Sequence, residues 1–63
     1  KVRRDAARVY RDYPEEQRQI IAYYVEHNYR IVDIVAITAR SRRWVHAVIS
    51  KFQEEMRERY GRD

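Results

Sequence analysis

Pro14 and Gly61 are the only proline and the only glycine in a chain of 63 residues. These two residue types are the strongest punctuators of local structure. A short chain with so few of them must run as helices joined by tight turns. It also has no cysteine, so neither a disulfide framework nor a thiolate metal site can staple it. A domain of about 60 residues buries only about 60% of the surface its unfolded chain exposes, and the fold therefore rests on helix packing. Charged residues make up 38% and hydrophobic ones 44%, a balance that suits a globular chain better than a disordered one. No apolar run approaches the roughly 20 residues of a membrane span. With no secretory or lipidation signal in view either, a cytoplasmic location is expected. Starting at Lys1 rather than Met, the chain reads as a processed product or as a domain cut from something longer.

Hydrophobic spacing divides residues 1–63, read as one domain, into four helices, over about 2–12, 14–27, 31–38 and 42–60. Val2, Ala6, Val9, Tyr10 and Tyr13 recur at three- and four-residue intervals, the signature of one buried helical face. Pro14 stops that helix and can open the next at its first position, with Glu15 and Glu16 meeting the positive end of the dipole. Ile20, Ile21, Tyr24 and Val25 supply its inner stripe, and Asn28 in the following loop can turn left-handed. The stretch "IVDIVAIT" favours a strand by propensity. No second strand exists to pair with it, so a short, almost wholly buried helix is expected, with Ile31, Ile34, Val35 and Thr38 inward. Ser41 reads as an N-cap. The last helix buries Val45, Val48, Ile49, Phe52 and Met56 and stops at Gly61.

Charge is distributed unevenly along these elements. From Ile34 to Gln53 there is no Asp or Glu, while Arg40, Arg42, Arg43 and Lys51 carry four positive charges. Outside that window ten basic residues balance ten acidic ones, so the whole excess of +4 lies inside it. A localised field of one sign suits a polyanion-binding surface. A solvated arginine cluster would look the same in composition.

Two helices meeting across "TARS" describe a helix-turn-helix. With Ile34, Ser41, Val45 and Val48 in place, residues 23–50 resemble the helix-turn-helix families of bacterial and phage DNA-binding regulators. "YYVEHNYRIVDIV", with Ser41, Val45 and His46, is similar in particular to the small sporulation stage III regulator type. The pattern differs at Val35, Thr38, Ala39 and Arg40, where it has a small alanine, an aliphatic residue, a glycine and a valine. The resemblance implies an all-α bundle of three to four helices that binds double-stranded DNA in a bacterial or phage-infected cell. It also implies a transcriptional regulator or repressor, with a homodimer as one option.

Helical geometry then places the side chains. If Val45, Ile49, Phe52 and Met56 face inward, then Arg43, Ala47, Ser50 and Glu54 point away, flanked by Trp44 and Lys51 on one side and by Arg42 and His46 on the other. Arg43 to Lys51 spans about 12 Å, the width of the major groove of B-DNA, also about 12 Å. Arg43 is the first candidate for a bidentate base contact, followed by His46, Ser50 and Trp44, while Ala47 can meet a thymine methyl. Arg40, Ser41, Arg42 and Lys51 are assigned to phosphates. Arg3 and Arg4 could form a minor-groove arm of the kind homeodomains use.

Other readings compete. Trp44 can cover the core edge, and the basic N-terminus can simply fray. DNA recognition could serve phage packaging or recombination instead of transcription. A different class is a helical interaction module that sets Phe52, Met56 and Tyr60 against a partner helix, its arginines facing an acidic protein. His27 and His46 stand apart with no carboxylate or cysteine at ligand spacing, so no metal, cofactor or small-molecule ligand is expected. The glutamates have no convergent His, Ser or Cys beside them, and the chain reads as non-enzymatic.

Overall fold

The computed structural model describes residues 2–61, with side chains from residue 5 onward. Four helices follow one another: α1 (Val2–Tyr10), α2 (Glu15–Val25), α3 (Ile31–Thr38) and α4 (Arg42–Tyr60). The bounds of α3 and α4 agree with the spacing of their apolar residues. The first two helices are shorter than expected, for local reasons. Beyond Tyr10 the chain tightens, the Tyr13 amide donating to the Tyr10 carbonyl at 3.0 Å. Pro14 is not the first helical residue: at φ −54°, ψ 150° it stands as the N-cap, and its carbonyl accepts the Arg18 amide at 2.9 Å. At the other end Asn28 takes φ 60°, which ends α2 before it can reach residue 27. Gly61 does close α4, its amide donating to the Arg57 and Met56 carbonyls. Its φ of −88° is ordinary, and what favours glycine there is space, because a Cβ would stand 3.0 Å from the Arg57 Cα.

α2 and α4 form the centre of the bundle. α1 and α3 each pack against both of them, and among the described residues do not pack against one another. The core joins Ala6, Val9, Tyr10 and Tyr13 to Ile20, Ile21, Ile34, Val45, Val48, Ile49 and Phe52. Tyr24, Val25, Ile31, Val35 and Met56 close its margin, half-buried. One expectation is overturned here. α3 is not almost wholly buried: Ile34 is its only buried residue, while Val32 is 57% and Ile37 50% exposed. A helix of eight residues laid across two neighbours can hide one face only, so the β-branched residues on its other face remain in solvent.

Two core tyrosines are anchored by carboxylates. Tyr10 donates to Glu26 at 2.9 Å and packs edge-on to Phe52, ring centroids 6.0 Å apart. Tyr13 donates to Glu55, tying the α1–α2 connection to α4. Burial, reinforced by the Glu26 hydrogen bond and charge, pushes the Tyr10 hydroxyl up to about 12. Burial and Glu55 raise Tyr13 in the same direction, Arg59 opposing them. The unfolded tyrosines ionise near pH 10, so between that pH and the folded value the native state holds more protons than the unfolded one. The stabilisation is complete below pH 10 and is lost as pH rises through the folded pKa. Stability read from thermal melts should therefore fall as pH rises from about 10 toward 12. Tyr10→Phe should flatten that fall, and an unchanged slope would count against the anchoring.

Candidate nucleic-acid interface

The site is built from α3, a three-residue turn and α4. Ala39 ends α3 in the left-handed conformation, φ 60°, ψ 22°, its amide donating to the Val35 carbonyl at 2.9 Å. An alanine there costs roughly 1–2 kcal/mol, so the domain bears this strain and keeps the turn shape that a glycine would adopt freely. The Thr38 hydroxyl donates to the Ile34 carbonyl at 2.7 Å, using a polar group at a half-buried position where the regulator pattern has an aliphatic one. Ser41 is extended and its Oγ accepts the Trp44 amide at 3.1 Å, the N-cap expected of it. Ala39→Gly should stabilise the domain by about 1 kcal/mol, since relief of the strain exceeds the extra chain entropy of glycine. A thermal melt with no gain would mean that the turn relaxes once freed.

Past the cap, α4 turns Val45, Val48, Ile49 and Phe52 into the core. This leaves Arg42, Arg43, His46, Ala47, Ser50 and Lys51 exposed along the outer face. Arg42, Arg43, His46 and Ala47 line one shallow depression at its start. One turn further, Ser50 Oγ lies 3.4 Å from His46 Nδ1, a contact whose direction the histidine tautomer sets. The Lys51 ammonium rests 5.0 Å from the Tyr13 ring centroid, and Lys51 shares a shallow depression with Glu54, Glu55 and Glu58. Among the described residues no carboxylate pairs with Arg42, Arg43 or Lys51.

No family model, curated protein or solved structure matches this chain.

The other residues singled out in the sequence fall differently. Trp44 is half-buried against the core, and Arg40 covers its ring at 4.5 Å. Arg40 itself is half-buried and paired with Glu16 of α2, so one of the four charges in the acid-free window is answered from outside it. Ser41 is exposed beside Arg42. Arg3 and Arg4 lie within the span of α1, but their side chains fall outside the described residues, and so does the arm proposed for them. Glu16 is the residue that sequence reasoning missed. Its place in the first turn of α2 suits the helix dipole, and nothing in the order of residues signals a partner 24 positions away.

Two further features bear on the competing readings. Phe52, part of the apolar strip suggested for a partner helix, is buried against Tyr10 and cannot serve such a contact. Tyr60 is exposed and Met56 half-buried. Away from α4's outer face, Tyr23, His27 and Tyr29 form an aromatic group with centroids 5.4–5.8 Å apart, Tyr29 stacking on the other two rings. No described helix is long and apolar enough to cross a membrane.

Proposed function

We propose that this chain is a helix-turn-helix domain that binds double-stranded DNA with sequence preference, acting as a transcriptional regulator or repressor. α4 enters the major groove. The observation that carries the reading is the outer face of α4 from Arg42 to Lys51: three cations that form no ion pair among the described residues, no acidic residue within that span, and the small Ala47 at its centre. Ala47 lets the helix backbone approach the base edges. Arg43 reads a guanine through its two-pronged edge, with His46 and Ser50 one turn apart as neighbouring contacts. Arg42, Ser41 and Lys51 hold phosphates, giving affinity and salt dependence rather than sequence choice. Beyond Lys51 the helix becomes acidic at Glu54 and Glu55, and the duplex must leave it there.

The test is a salt titration of binding to random-sequence duplex, followed by selection from a randomised pool. Steep salt dependence with an enriched motif supports the reading, and a palindromic motif adds a homodimer. Steep dependence without enrichment reduces it to a nonspecific binder. Absence of binding at low salt removes it and returns the search to protein partners. Service in phage packaging or recombination would use the same interface and would differ only in which DNA is selected.

A further inference from the structure

Arg40 occupies the middle of the α3–α4 turn, directly after the left-handed Ala39. Its guanidinium pairs with the Glu16 carboxylate in the first turn of α2. Its Cζ lies 4.5 Å from the centroid of the Trp44 ring in the first turn of α4. Together with Tyr23 and Ile37, these three residues wall a small groove between α2 and the turn. One side chain thus links α2 to the start of α4 across the only strained residue of that turn. Building on the DNA-binding reading above, we infer that Arg40 is a positioning residue and not a phosphate ligand: it fixes the turn and Trp44, and through them the angle at which α4 presents Arg43.

The chemistry of the guanidinium favours this. A planar, delocalised cation can stack its face on an indole while its edge engages a carboxylate. In this arrangement the guanidinium lies over the Trp44 ring while one of its nitrogens pairs with Glu16. A phosphate would have to displace a carboxylate of like sign and then sit beside it, with the repulsion that implies. Left-handed Ala39 also makes the turn prone to relax into other shapes. Holding the next residue from two helices removes those alternatives, which a lone surface charge would not do. The same arrangement accounts for an arginine at a position where the regulator pattern has an apolar residue, since the Arg40–Trp44 stack seals the core margin there.

Trp44 is the only tryptophan in the chain, so its fluorescence reports on this place alone. The experiment uses Arg40→Lys and Glu16→Gln in the whole chain, read by tryptophan emission, iodide quenching, helical circular dichroism and DNA binding across a salt series. Lysine keeps the charge but loses the planar stack and fork. Arg40→Lys is expected to shift Trp44 emission and expose it to quencher, and to weaken the preferred duplex about five- to tenfold with the salt slope unchanged. Binding restored to the parental level by lysine, together with a slope reduced by about one in Arg40→Ala, would mean a phosphate ligand and overturn the inference. Glu16→Gln is the second variant and guards against a folding failure at position 40. Loss of a negative charge by itself favours DNA, so weaker binding with a shifted Trp44 signal supports positioning. Tighter binding with a steeper slope overturns it, because Glu16 would then be shielding a phosphate site. If the parent chain binds no duplex at all, the DNA reading fails separately. The anchoring is then decided by Trp44 emission, and an unmoved signal in both variants rejects it.

Discussion

Ile34→Ala is expected to lower the stability of the domain by about 2–5 kcal/mol, the usual cost of truncating a buried isoleucine. At roughly 0.05–0.15 kcal/mol per residue, a chain of this length holds only about 3–9 kcal/mol in total, so most or all of its margin would go. The position is chosen because Ile34 is fully buried and is the one buried residue of α3. A better helix former at that place regains a few tenths of a kcal/mol at most, and the lost burial wins. Val32→Ala and Ile37→Ala, on the exposed side of the same helix, should stay within about 0.5 kcal/mol of the parent. Denaturant unfolding of the three variants followed by circular dichroism separates the cases. Equal losses at positions 32, 34 and 37 would show that the outer face of α3 is covered in solution.

The contrast between those positions also shows what the order of residues could and could not reveal. Apolar residues at three- and four-residue spacing specify which side of α2 and α4 turns inward, and Ile20, Ile21, Val45, Val48, Ile49 and Phe52 are buried accordingly. Local chemistry gave the Ser41 cap and the left-handed Asn28, because each depends on neighbours within a few residues. α3 was different. Six of its eight residues are Ile, Val or Ala, and an apolar run without a polar stripe does not say which side meets the core. Only the placement of α2 and α4 around it settles that Ile34 is inside while Val32 and Ile37 are outside. Arg40 shows the same limit for charge. A sum over residues 34–53 counts it as a free cation, whereas a glutamate two helices earlier in the chain pairs with it. Periodicity and capping are local properties, while the pairing of a turn residue with a distant helix is set by packing.

Arg43→Ala is expected to weaken binding to the preferred duplex by about 1–3 kcal/mol, or about five- to 150-fold, while leaving the melting temperature almost unchanged. The second half follows from the structure around the side chain. Arg43 is exposed and has no ion-pair partner among the described residues, so its removal breaks no internal contact of the fold. The first half follows from its place on the proposed reading face, one turn before Ala47, where a two-pronged edge can meet the two acceptors of a guanine. Selection from a randomised pool with the Arg43→Ala variant should relax preference at one base position and keep it elsewhere. Lys51→Ala, by contrast, should weaken all duplexes to a similar degree and lower the salt slope by about one. The two patterns distinguish a base reader from a phosphate anchor on the same helix. If Arg43→Ala behaved like Lys51→Ala, α4 would still carry a DNA-binding surface, but sequence choice would have to come from His46 or Ser50.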